Sequence, residues 1–262
     1  MTLPTPTRAP AAPCGVWLRR YRPAQTQTAA AAVRLVCFPH AGGSATAFRP
    51  LADTLAPAGI EVLSVQYPGR QDRRHEPFIP TVEELIETLL PELKPWTDEP
   101  FALFGHSLGA TLAYETARRL AASGRPPLHV FLSGRRAPGV PRHDLPALLD
   151  DRSLIDRITR LQGTDPAVLQ DEELLRMVLP ALRNDYAMAG AYRHQPVPVL
   201  RVPVTVLTGD SDPNVSVEHA RRWSQVAGGP FALQVLPGGH FYLNDRTESV
   251  GHIIAEALDH AR

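Results

Sequence analysis

The sequence predicts an α/β fold, a mostly parallel central sheet with helices on both faces and a helical lid inserted late in the chain. Three observations lead there. Short apolar runs bounded by Gly or Pro recur along the chain, several of them continuous, as strands buried on both faces of a parallel sheet must be. Helix-like segments fall between these runs, and repeated strand-then-helix order builds parallel sheets. One interval, 135–198, has no strand candidate at all and breaks the alternation.

The chain is 262 residues long, 44% apolar and 21% charged, which suits a single domain over 1–262 with a well-filled core. Lys plus Arg equals Asp plus Glu at 27 each. No global field therefore draws in nucleic acid or an anionic membrane, and a charged partner has to be met by a local patch. There is no run long enough to span a bilayer and no apolar core of a signal peptide near the start, so the expected location is cytoplasmic. Cys14 and Cys37 make no disulfide framework; Cys37 reads as a buried thiol and Cys14 as a solvent-facing one.

Taken in order, residues 1–14 and 22–31 are rich in Pro, Ala, Thr and Gln and read as a flexible tail and a loop around a short strand at 16–21. The strand candidates that follow are 33–38, 60–65, 101–104, 128–132, 204–208 and 231–236. Helices are expected over 47–56, 81–93, 108–122, 217–225 and 249–261. Within 135–198 the helical stretches 153–161 and 171–192 are expected to cap the C-terminal edge of the sheet, where open α/β sheets bind ligands.

The segment FALF-GHSLG-ATLAYE places Ser107 between Gly105 and Gly109, after a strand and before a helix. A strand that turns directly into a helix strains the residue at the corner, and its neighbours two positions away must lack Cβ for the chains to pass. Ser107 is then pushed out at a helix N-terminus as a candidate nucleophile. A serine needs a base and an orienting acid, expected downstream in the order Asp then His. The loop Gly209-Asp-Ser-Asp-Pro213 follows one strand and Pro237-Gly-Gly-His240 follows the next, at the same sheet edge as Ser107. His240 is the expected base; His219, His252 and His260 fall in helical segments. Asp212 is favoured over Asp210, because the proline after it biases it to an extended backbone that projects into the site. The oxyanion donors are expected to be the N–H of Leu108 and one from the loop Pro39-His-Ala-Gly-Gly43, that of Ala41; His40 is expected to shape this loop.

Together WLRRYRP, RLVCFPHAGGSA, VQYPGRQDRR, FALFGHSLGA, SGRRAP, TGDSDP and LPGGHFYL, in this order, resemble the α/β-hydrolase thioesterases, specifically the stand-alone type II thioesterases of modular polyketide and nonribosomal peptide synthases. The resemblance runs nearly end to end. It implies a Ser107–Asp212–His240 triad, a mobile lid over 135–198, no metal or organic cofactor, and an editing role. In that role the enzyme hydrolyses stalled acyl groups from the phosphopantetheine arm of an acyl or peptidyl carrier protein. A chain-releasing or cyclising thioesterase, or a general carboxylesterase, would keep the same triad; a non-catalytic binding module would have to have lost part of it. The protein is expected to be a monomer. Apolar positions Leu174, Met177, Val178 and Leu182, at helical spacing, are expected to supply the acyl pocket. Arg70, Arg73 and Arg74 are expected to dock an acidic carrier, with Arg135 and Arg136 as a second candidate patch.

Overall fold

Apolar runs become strands here because both faces of the sheet are covered. In the computed structural model, which describes residues 15–21, 33–140, 150–161, 171–197 and 199–261, β1 (Leu18–Tyr21), β2 (Val33–Phe38), β3 (Ile60–Val65), β4 (Phe101–His106), β5 (Val130–Ser133), β6 (Val204–Gly209) and β7 (Phe231–Leu236) form one sheet. Its order is β1-β3-β2-β4-β5-β6-β7, with β1 antiparallel on the edge and every other pair parallel. Alternate residues leave for opposite cores: Val36 and Phe38 of β2 and Leu103 of β4 go to one, Leu35 and Cys37 with Ala102 and Phe104 to the other. That is why these segments read as continuous apolar runs.

The helices are α1 (Arg49–Leu55), α2 (Val82–Leu93), α3 (Leu108–Ala122), α4 (Asp151–Leu161), α5 (Glu172–Ala191), α6 (Val217–Arg221), α7 (Tyr242–Asp245) and α8 (Thr247–Asp259). Buried residues of α2 and α3 join Trp223 in the first core, while α1 and α8 pack on the second face. Thr81 caps α2 by accepting from the Glu84 N–H at 3.2 Å, and Asp171 caps α5 by accepting from Glu173 and Leu174. The 47–56 and 217–225 segments are less regular than expected, each splitting into an α-helix and a 3₁₀ turn. Cys37 is a buried free thiol whose pKa is pushed up by burial. The expected tail at 1–14 with its Cys14, and the loop 22–31, lie outside the described residues. So do 141–149 and 162–170 of the inserted interval.

What positions the site is the place where strand order reverses. The chain runs from β2 outward to β3, then returns to β4 on the other side of β2, so the loops leaving β2 and β4 diverge from a shared crevice. Register puts Phe38 opposite Gly105. The loop Pro39–Gly43 and the corner at Ser107 therefore emerge side by side.

Candidate active site

Ser107 sits at the corner between β4 and α3 with φ 55° and ψ −115°, a strained conformation for a residue with a side chain. The surroundings leave no slack. A Cβ on Gly105 would come 2.0 Å from the Gly109 carbonyl oxygen, and one on Gly109 would come 1.9 Å from that of Phe38. The Ser107 N–H is tied to the Ser133 carbonyl at the end of β5, 2.8 Å away.

His240 and Asp212 complete a hydrogen-bonded row. His240 Nε2 lies 3.1 Å from Ser107 Oγ, and Nδ1 lies 2.7 Å from Asp212 Oδ2. Both partners are buried, the Asp212 side chain completely. Asp212 Oδ1 accepts from the N–H groups of Asn214 at 2.8 Å and Val215 at 3.2 Å, which fixes the carboxylate plane. Asp210 does a different job: it is exposed and accepts from the Gly238 N–H at 3.0 Å, stitching the loop after β6 to the loop that carries His240. The choice between the two aspartates is thus made by which side chain turns inward.

Two further histidines crowd this row. The His106 ring centre is 5.1 Å from that of His240, and its Nδ1 is 2.9 Å from Ser133 Oγ, itself 2.6 Å from the Tyr242 hydroxyl. His40 lies edge-on to Phe241 at 4.7 Å and its ring fills the space where a Gly43 side chain would be. Burial, aided by repulsion from His240, lowers both pKa values, that of His40 to about 4 and that of His106 well below the usual range. Both rings are held neutral at pH 7.

Among the described residues neither the Ala41 nor the Leu108 N–H is given to a protein acceptor, and both residues line a small cavity of about 50 Å³ with Ser107 and His240. Arg135, Arg136 and Arg157 line it too; Arg136 also donates to the Asn214 carbonyl at 2.6 Å. Next to it, sharing Ala41, Leu161 and Tyr186, is a wider cavity of about 410 Å³, with Val178, Leu182, Ile158 and Phe241 in its wall. Thus α4 and α5 both contribute walls to these cavities.

Two expectations are corrected. Leu174 and Met177 do not line either cavity: they are 39% and 59% exposed in the first two turns of α5, and the cavity wall is carried further along the helix by Val178 and Leu182. Nor do the three arginines form an exposed cluster. Arg70 is buried, with its guanidinium forked onto Asp185 at 2.7 and 3.0 Å. Arg73 is buried over the Trp17 ring, 4.1 Å from its centre, and paired with Glu76 at 2.5 Å. Only Arg74 faces solvent. Sequence reasoning did not single out Asp185; an acid at a position in register with the buried face of α5 was the available signal.

A serine at the strand-to-helix corner of a mostly parallel seven-stranded sheet, backed by a histidine and an aspartate from the two following loops, is the α/β-hydrolase arrangement. The chain belongs to the thioesterase family: the profile described as Thioesterase domain matches residues 33–258. Thioesterase PikA5 of Streptomyces venezuelae is 49% identical over 246 residues, covering 93% of this chain and 86% of that one. The solved type II thioesterase BorB of the borrelidin biosynthetic cluster superposes with a TM-score of 0.84 at 48% identity, covering 93% of this chain and 98% of its own. YbtT, the type II thioesterase of the yersiniabactin pathway, gives 0.83 at 30% identity, with 94% and 99% covered. The protein is a thioester hydrolase. Among the described residues no helix is long and apolar enough to cross a membrane.

Proposed function

We propose that this enzyme edits: it hydrolyses stalled or aberrant acyl groups from the phosphopantetheine arm of acyl or peptidyl carrier proteins serving a polyketide or nonribosomal peptide synthase. The names of its relatives support the biosynthetic setting, and one observation supports the chemistry above all others, the continuous row from Ser107 Oγ through His240 to Asp212 at the floor of a cavity. His240 Nε2 takes the Ser107 proton as Oγ attacks the thioester carbonyl, while Asp212 holds Nδ1–H and steadies the imidazolium. The N–H groups of Ala41 and Leu108 receive the oxyanion. The pantetheine sulfur then leaves; an ordinary thiol has a pKa of roughly 8.5, so it departs as thiolate or with the proton from His240 and needs far less help than an amine. Water, deprotonated by His240, attacks the acyl-serine and releases the acid. The wider cavity is the acyl site in this scheme, roofed by a lid of α4 and α5.

The test is a carrier protein loaded with a short acyl group, with release of free pantetheine thiol as the readout. Ser107→Ala should fold normally and lose activity by roughly a thousandfold or more. With wild type and a slow substrate, mass spectrometry should find the acyl group on Ser107. Retention of hydrolysis by the variant, or an acyl group on another residue, would overturn the assignment.

A further inference from the structure

The loop after β2 supplies the Ala41 N–H, and its backbone is held from both sides. The Pro39 carbonyl accepts from the Tyr67 hydroxyl at 3.2 Å, and Gln66 Oε1 accepts from the Ala45 N–H at 2.9 Å, both from the chain just beyond β3. The Gly42 N–H is held from elsewhere: it donates to Asp185 Oδ2, 2.8 Å away, on α5. Asp185 is 1% exposed, and its two oxygens also take the Arg70 fork. Arg70 in turn donates to the Gly43 carbonyl at 3.2 Å. One turn earlier on α5, Leu182 occupies the space a side chain at position 42 would need; a Cβ there would lie 2.5 Å from its Cδ2. Gly42 adopts φ +74°, which turns its N–H toward Asp185 and leaves room for Leu182 at once.

We propose that Asp185 is a positioning residue through which α5 sets the oxyanion site. The peptide unit carrying the Ala41 N–H lies between two pinned units, one fixed by Tyr67 at the Pro39 carbonyl and the other by Asp185 at the Gly42 N–H. Asp185 touches no reacting atom. Its effect passes through the backbone: the Gly43 N–H closes a turn on the His40 carbonyl at 2.9 Å, and Asp185 holds that turn against α5, so the second oxyanion donor is fully aligned only while α5 is seated on the loop. The same helix walls the wider cavity with Val178 and Leu182. An acyl group that fits leaves α5 seated and is hydrolysed; one that wedges α5 away costs the site its donor, so selectivity is expressed in turnover as well as in binding. This inference rests on the reading of Ser107 as nucleophile and Ala41 as donor.

Asp185→Asn tests it, because an amide cannot satisfy this pocket in either orientation. One oxygen faces Gly42 N–H and Arg70 Nη1, the other faces Arg70 Nη2, and whichever side becomes NH₂ confronts a donor. With a short acyl N-acetylcysteamine thioester, kcat should fall by roughly tenfold to a hundredfold, the scale for a misplaced catalytic group, while KM changes little. Affinity for a trifluoromethyl ketone, whose adduct with Ser107 carries an oxyanion, should fall by the same factor as kcat. Affinity for the carboxylic acid product should be unchanged. Arg70→Lys keeps the buried pair charged but loses the fork, and should show the same split at smaller size; it decides the matter if Asp185→Asn does not fold. A folded Asp185→Asn with wild-type kcat, or losses in KM and product affinity as large as those in kcat, would overturn the proposal. An active Ser107→Ala would instead sink the underlying mechanism, so the two failures are separable.

Discussion

Replacing Asp212 by Asn tests the proposed acid most sharply, because the structure dictates which way the new amide must face. Asp212 Oδ1 accepts two backbone N–H groups, from Asn214 and Val215, while Oδ2 meets His240 Nδ1. In Asn the carbonyl oxygen has to stay with the two N–H donors, since turning the NH₂ toward them would bury three donors against one another. The NH₂ then faces His240 and makes Nδ1 an acceptor. The ring proton moves to Nε2, the atom 3.1 Å from Ser107 Oγ, and a protonated Nε2 cannot take the serine proton. Turnover should fall by roughly 10⁴, or about 5 kcal/mol at the barrier, with little change in fold. Steady-state and single-turnover hydrolysis of a short acyl thioester near pH 7.5 measures it, with Asp210→Asn as control. Asp210 accepts the Gly238 N–H at the surface, a bond an amide oxygen keeps, so that variant should stay within about threefold of wild type. A reversed ranking, or an Asp212→Asn enzyme within tenfold of wild type, would refute the reasoning.

A tryptophan at Val178 should shorten the preferred acyl chain while sparing acetyl thioesters, whereas Met177→Trp, on the solvent side of α5, should leave the chain-length profile alone; a profile unchanged by Val178→Trp places the acyl group elsewhere. Arg73→Glu buries a carboxylate beside Glu76 and over Trp17, so it should destabilise by roughly 3–5 kcal/mol and lower activity equally on carrier-bound and small thioesters. Arg74→Glu should do neither; a stable Arg73→Glu that fails only on carrier protein would restore the docking idea. His40 and buried His129 have pKa values lowered to about 4, and burial holds that of His106 well below its usual range, against about 6.5 in the unfolded chain. Between those values the unfolded state binds more protons, so stability is held above about pH 6.5 and falls as pH drops toward 4. Urea midpoints at pH 7.5, 6 and 5 should decline in that order, and less steeply in His129→Gln; a flat series would mean that these rings charge without cost.

The sheet was legible in the sequence because strands covered on both faces are mostly apolar: 33–38 and 60–65 emerge with the bounds that pattern implies, and 231–236 does too although, as the edge strand, it is only partly covered. Ser107 was legible too, since a strand-to-helix corner forces glycines at 105 and 109, and local sterics leave a local mark. Asp212 and His240 could be chosen from their loops, but only the fold shows which aspartate turns inward, a matter of long-range stitching by Asp210 and Gly238. The arginines show the limit most clearly. Arg70 and Arg73 look like a surface cluster in one dimension, yet Asp185 and Trp17, distant in the chain, bury them. Charge along a sequence carries no information about partners brought by other elements, and the same long-range packing left Leu174 and Met177 exposed near the start of α5 while it buried Asp185, further along, against Gly42.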